Sequence, residues 1–251
     1  MATVAVGDVH GNLAALIDLL DRLLSVMQPD DTLVFLGDLI DRGPDSRGVL
    51  ERLVRLREEA FFETVFLLGN HEMWMLDSFR DSTKHSWALN TEAFPTISSY
   101  APDVAEDLRR RFGEVGTRLF EETIRMPYER FFERLPRSHI ALLEEMPFFH
   151  RTTDVVCVHG GVRPEGTPPS DADGGLLVWG HPDFPERYVG QARVVYGHHD
   201  DAVVDPEGWP RPRVIDGRTF GIDTISHGVL TALRFPDLQL VQSRRCSFGA
   251  R

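Results

Sequence analysis

Five short motifs concentrate the residues able to do chemistry: "GDVHGN" at 7–12, "GDLIDRG" at 37–43, "GNHE" at 69–72, "HGG" at 159–161 and "GHHD" at 197–200. Together they hold Asp8, His10, Asp38, Asp41, Arg42, Asn70, His71, His159 and His198, and each motif follows a short apolar run. A carboxylate at the end of a buried strand costs several kcal/mol unless a cation or strong donors meet it. A single such histidine would more simply be a hydrogen-bonded structural residue. Five strand ends delivering Asp, His and Asn to one edge exceed coincidence. Imidazole combined with carboxylate suits Mn, Fe or Zn rather than the all-oxygen sites of Ca or Mg. Arg42 adds a planar fork matched to two oxygens of a phosphate, and Arg163, just past the HGG turn, is a second candidate for the same anion.

The elements that must position these residues are legible nearby. Apolar runs at 3–12, 32–43 and 64–72 read as strands, each closing on glycine and a polar residue. Between the first two, apolar residues at 13, 16, 17, 20, 24 and 27 form one helical stripe; between the second and third, Val49, Leu50, Leu53, Val54 and Leu56 form another. Strand, helix, strand, helix, strand with short connections predicts a buried α/β sheet, with ligands gathered beyond the carboxyl ends of its strands. Residues 73–150 differ: Val104, Leu108, Phe112, Val115 and Leu119 keep helical spacing amid charge runs, with Pro102 near a start and Pro127 at a break. A helical insert beside the sheet is expected there, its charge runs forming a solvated face; a wall for a substrate groove is the functional reading of the same segment. Strands resume at 154–162, 192–200, 219–224 and 228–235, whereas "DPEGWPRPRVIDG" at 205–217 reads as loop and turn, and the tail from Ser243 as loosely held.

Composition bounds the rest. The chain has 251 residues, 42% hydrophobic and 26% charged, and reads as one domain spanning 1–251. A formal charge of -12 opposes binding to nucleic acid or an anionic membrane, so a phosphate-bearing ligand must be captured locally. No run approaches the length of a membrane span, and the first residues lack a signal-peptide pattern. Cys157 and Cys246 are the two cysteines, and a reducing, cytoplasmic setting is expected.

In order and over most of the chain, GDVHGN, GDLIDRG, GNHE, HGG and GH resemble the phosphoprotein phosphatase (PPP) branch of the calcineurin-like metallophosphoesterases, in the form of a bacterial-type serine/threonine protein phosphatase. The resemblance implies an α/β (α+β) sandwich: central β-sheets flanked by helices, with the helical insert at about 73–150. It implies a site for two divalent metal ions, with Mn favoured and Fe or Zn admitted. Asp8 and His10 would bind the first ion, Asp38 bridge both, and Asn70, His159 and His198 complete the second. Two divalent cations outweigh the two aspartates and leave net positive charge for a bridging hydroxide and a phosphate. His71 would be the general acid, oriented and raised in pKa by Asp41, with Arg42 on the phosphate. Asp41 could instead simply cap the turn that follows it.

The function implied is a metal-dependent phosphomonoesterase acting on phosphoserine or phosphothreonine in proteins, or on small phosphoesters. The alternative is a dinucleoside polyphosphate hydrolase with the same two-metal mechanism. Nucleotide-cleaving relatives typically replace the DRG aspartate with alanine and read GNHD, so the forms kept here favour the phosphatase. A binding module without activity would be expected to have lost a ligand or His71, and none is lost. His85, His139, His150 and His181 fall outside the motifs and read as surface or core residues. His199 follows the GH where most relatives carry Thr or Gln, and Asp200 stands where general phosphodiesterases have a second histidine; the roles of His199 and His227 stay open.

Overall fold

The computed structural model describes residues 1–90 and 92–247. Its first half alternates as the sequence predicts: β1 (Thr3–Val6), α1 (Leu13–Leu23), β2 (Thr32–Phe35), α2 (Ser46–Glu59), β3 (Glu63–Phe66) and α3 (Asn70–Arg80). The insert supplies α4 (Ser86–Asn90), α5 (Phe94–Tyr100), α6 (Pro102–Val115), α7 (Glu129–Phe132) and α8 (Arg137–Glu144). The second half carries β4 (Phe149–Arg151), β5 (Val156–Val158), α9 (Gly174–Trp179) and β6 (Val194–Tyr196). Then follow β7 (Val203–Val204), β8 (Pro210–Arg211), β9 (Arg213–Ile215), β10 (Thr219–Gly221), β11 (Thr231–Phe235) and β12 (Gln239–Gln242).

Two five-stranded sheets result, ordered β12-β11-β1-β2-β3 and β4-β5-β6-β10-β9. β1, β2 and β3 run parallel, as do β5, β6 and β10; β11 lies antiparallel beside β1 with β12 antiparallel outside it, and β4 and β9 are antiparallel at the two edges of the second sheet. Side chains alternate across each sheet, and both faces are covered. Ala5, Val34, Leu36 and Leu67 from the first sheet meet Cys157, Val195 and Phe220 from the second in a shared inner core. Val4, Val6, Leu33 and Phe35 point outward onto α1, α2 and the insert, whereas Val156, Val158, Val194 and Tyr196 pack with Leu177 of α9. The molecule is therefore the helix, sheet, sheet, helix sandwich implied by the resemblance.

Three local readings change. The buried face of α1 is Ala15, Leu16, Leu19, Leu20 and Leu23, and Ile17 faces solvent at 43% exposure. The proline-rich stretch at 205–217 is not all loop: β9 pairs with β10 along the edge of the second sheet, where an unpaired outer side tolerates proline nearby. The tail is held at least to Cys246: Ser243 is buried, Arg244 pairs with Asp18, and the Cys246 N–H donates to the Gly228 carbonyl. Residues 248–251 lie outside the described residues.

Candidate active site

Five parallel strands, β1, β2, β3, β5 and β6, end on the same edge and deliver Asp8 and His10, then Asp38, Asp41 and Arg42, then Asn70 and His71, then His159, then His198. Backbone bonds lock these turns together. The Val9 and His10 N–H groups both donate to the Asp38 carbonyl, at 3.0 and 2.8 Å, and the Gly197 N–H donates to the His159 carbonyl at 2.9 Å. His159 Nδ1 reaches across the sandwich to the Leu36 carbonyl at 2.9 Å. His10, Asp38, Asp41, Arg42 and His198 all have positive φ, between 44° and 68°. Such backbone is costly for residues other than glycine and persists where the surroundings over-determine it. A Cβ at Gly197 would collide with Asp8 Oδ1, so glycine is required where the second sheet approaches the first.

The imidazoles have defined orientations. His10 Nδ1 lies 3.0 Å from the Ile40 carbonyl, which can only accept, so Nδ1 carries the proton and Nε2 turns to the carboxylates. His10 Nε2 is 3.6 Å from Asp38 Oδ2 and 3.9 Å from Asp8 Oδ2. By the same reasoning His159 Nε2 is the free nitrogen, 3.4 Å from Asp38 Oδ1 and 3.1 Å from Asn70 Oδ1. His198 Nδ1 approaches the same Asn70 oxygen at 2.9 Å, and the His198 N–H donates to Asp8. Two donor groups emerge, His10 with Asp38 and His71, and Asp38 with His159 and His198; Asp38 belongs to both.

Electrostatics test whether cations fit. Asp8 and Asp38 are buried, and neither has an ion pair with lysine or arginine among the described residues. Burial, Asp223 and Asp38 push the Asp8 carboxyl well above the usual range. Burial and the His159 charge press the His198 imidazole down to about 3, and burial with the His71 charge lowers His10 well below its usual value. Neutral His10 and His198 are in the protonation state that metal binding requires, whereas Asp8, raised by burial, and His159, raised by the Asp38 charge against burial, would give up their protons to a bound cation. Acceptor atoms converging on a buried space, with no lysine or arginine ion pair to Asp8 or Asp38 among the described residues, fit divalent metal ions.

His71 stands apart from that set. Its Nδ1–H donates to Asp41 Oδ2 at 2.8 Å, its backbone N–H donates to Asp38 Oδ1, and Nε2 is left 3.7 Å from Asp38 Oδ2. Burial presses the imidazole down, but the Asp38 charge and the Asp41 bond outweigh it and raise it to about 8. The direction agrees with the sequence reading, with Asp38 contributing alongside Asp41.

Asp41 is no surface turn cap. It is fully buried and accepts from Trp87 Nε1 at 2.9 Å and from Thr96 Oγ1 at 2.6 Å, while its own N–H donates to Thr96 and Ser46 hydroxyls. Trp87 is on α4 and Thr96 on α5, so the insert reaches the pair at the centre of the site. Glu72 is a second residue whose role no motif disclosed. Its carboxylate accepts backbone N–H groups from Asp38, Leu39, Ile40 and Gly69. Burial and the Asp38 charge push it up to about 7 against those donors. Asp223, buried one residue beyond Ile222, is a third: burial and Asp200 raise it to about 7. Its apolar run followed by Asp repeats the strand-end signal and could have been read from it.

The arginines separate. Arg42 is half-buried, its charge acts on Asp8, His10, His71 and Asp223, and its guanidinium has no side-chain partner among the described residues. Arg163 is exposed and touches none of the cluster by hydrogen bond or ion pair among those residues. His199 packs its ring 4.7 Å from His198 and bonds the Gly160 backbone, bracing the HGG turn. His227 faces Asp200 at 3.5 Å. His85 bonds Tyr128 and the Ile124 carbonyl, and His139 bonds Tyr100 and Glu51, away from the cluster.

A family model described as calcineurin-like phosphoesterase matches residues 1–228. The bis(5'-nucleosyl)-tetraphosphatase PrpE (asymmetrical) of Halalkalibacterium halodurans is 28% identical over 255 residues, covering 94% of this chain and 91% of that protein. Among solved structures, a candidate diadenosine tetraphosphatase superposes with a TM-score of 0.62 at 22% identity, covering 96% and 92% of the two chains. A serine/threonine phosphatase from Saccharomyces cerevisiae gives 0.52 at 14% identity, covering 97% and 79%. At these identities the two structures speak to fold alone.

Proposed function

The chain belongs to the calcineurin-like phosphoesterase family, and we propose that it is a two-metal hydrolase of dinucleoside polyphosphates. The observation that carries the chemistry is Asp38, shared by both groups of metal-competent side chains. The substrate class is supported by the end-to-end similarity to a bis(5'-nucleosyl)-tetraphosphatase. The phosphoprotein reading rested on GDLIDRG and GNHE. Glu72 is occupied by four backbone N–H groups and Asp41 by His71, Trp87 and Thr96, so neither faces a leaving group, and their identities carry little information about it.

In this reading Asp8, His10 and Asp38 hold one ion, and Asp38, Asn70, His159 and His198 the other, with Mn favoured and Fe or Zn accepted by the same donors. The ions supply Lewis acidity towards the phosphoryl oxygens and the attacking water. The Arg42 guanidinium, without a side-chain partner among the described residues, binds the phosphate through its planar fork. Arg163 joins it only if its exposed loop closes over the substrate. His71, protonated at Nε2, gives its proton to the leaving oxygen, and Asp41 holds the ring through Nδ1. Because both sheets supply ligands to one cluster, residues 1–251 act as a single domain. No described helix is long and apolar enough to cross a membrane. Two free cysteines support a reducing, cytoplasmic setting.

The test is kcat/KM for diadenosine tetraphosphate and for a phosphothreonine peptide, measured side by side on protein reloaded with Mn. Preference for the dinucleotide is expected. Preference for the peptide would restore the phosphatase reading within the same mechanism.

A further inference from the structure

Two tryptophans, one from each helical layer, meet at the rim of the cluster. Trp74 lies on α3, one turn beyond Asn70 and His71 and so on their side of the helix. Trp179 ends α9. Their ring centroids are 4.8 Å apart, and the Trp179 ring lies 5.5 Å from that of His198 at 89°. An unbroken row of rings thus leads outward from His159 through His198 and Trp179 to Trp74. Trp179 is 37% exposed, although an indole is among the more costly side chains to leave in water.

The position is built. The Gly160 N–H donates to the Leu177 carbonyl at 2.8 Å, and a Cβ on Gly160 would strike the Val178 carbonyl, so the end of α9 is fitted directly against the turn carrying His159. Trp74 is braced on the main core. Both rings are held by the elements that hold the cluster, which is the preorganisation a binding platform needs.

We propose that Trp179, backed by Trp74, is a stacking platform for a nucleobase of the substrate, and that it sets the preference for nucleoside polyphosphates over phosphoesters lacking an aromatic group. This rests on the dinucleotide reading above. The indoles sit too close to admit a base between them, so the base lies on the exposed face of Trp179. Stacking on an aromatic face tolerates every base, and it provides binding that does not depend on charge in a protein of net charge -12. Phosphate binding fixes one end of the ligand, and the platform fixes the other.

The experiment compares KM for diadenosine tetraphosphate with KM for inorganic tripolyphosphate, which has no base, in wild type, Trp179→Ala, Trp74→Ala and Trp179→Phe, all loaded with Mn. In Trp179→Ala the ratio of the two KM values should rise on the order of tenfold, less in Trp74→Ala, and Trp179→Phe should recover most of it. Equal changes for both substrates would overturn the platform and leave the dinucleotide reading standing. Wild-type protein that fails to cleave the dinucleotide would sink that reading instead, and adenosine quenching of tryptophan fluorescence then decides the platform separately. Quenching present in wild type and lost in Trp179→Ala supports it, and absence of quenching overturns it.

Discussion

Asp41 accepts the Nδ1–H of His71 at 2.8 Å from a fully buried position, and its carboxylate also accepts from Trp87 and Thr96 of the helical insert. The imidazole proposed as proton donor is thus aimed by a carboxylate from the turn after β2 and steadied by a segment more than forty residues further on. Asp41→Asn should lower kcat about 10–100-fold, while metal content by elemental analysis stays at the wild-type value. Wild-type turnover in that variant would remove Asp41 from the mechanism.

The insert's contribution is separable. Trp87→Phe keeps an aromatic ring against Phe131 and Phe132 but deletes the N–H that reaches Asp41. We expect turnover to fall several-fold, in line with about 1 kcal/mol for one hydrogen bond, and the effect to vanish in an Asp41→Asn background. A double-mutant cycle measures this, and additive losses would argue that Trp87 acts only through packing.

Leaving-group chemistry gives a third expectation. A polyphosphate leaving oxygen is far less basic than a threonine alkoxide, so it needs protonation less. His71→Asn should therefore cost up to about 10²–10⁴-fold on an alkyl phosphate and distinctly less on diadenosine tetraphosphate. Equal losses on both substrates would show that His71 does something other than protonate the leaving group.

Away from the cluster, His139 is buried between Tyr100 and Glu51, and burial lowers its pKa although the Glu51 bond raises it. The unfolded chain then binds a proton first as pH falls. The stability that neutral His139 contributes is present above about 6.5 and is lost as pH drops through the lower folded value. His139→Leu should be less stable than wild type at pH 7.5, and the gap between their thermal midpoints should narrow towards pH 5. A gap independent of pH would contradict the assignment.

Metal removal should destabilise the fold, because Asp8, Asp38 and Asp223 are buried within reach of one another's charge. Stripping the ions at pH 8 should lower the melting temperature by roughly 5–10 °C, the size expected for loss of a ligand held well above its Kd in a chain of this length. Asp223→Asn should narrow that difference in calorimetry.

What the sequence disclosed, and what it hid, follows from the range of the interactions. Asp8, Asp38, Asn70, His159 and His198 were legible because each follows an apolar run at a strand end, and the α/β alternation made those ends converge. Thr96 sits in "FPTISSY", with no local mark of its contact fifty-five residues back with Asp41. Glu72 stood in plain view inside GNHE, but its bonds to the turn after β2 are invisible until the two strands pair. Positive φ at His10, Asp38, Asp41, Arg42 and His198 runs against the local preference of those residue types and is imposed by the assembled turns. The short strand β9 escaped because proline nearby argues against a strand except at a sheet edge, and edges are a property of the whole sheet.

If Asp38 unites two metal positions in one hydrolytic site, calorimetric titration of Mn into stripped protein, with diadenosine tetraphosphate cleavage followed in parallel, should show two ions bound per chain, activity that rises only as the second binds, and loss of both events in Asp38→Asn. Full cleavage in the presence of chelator, or with a single ion bound, would show that Asp38 does not join two ions.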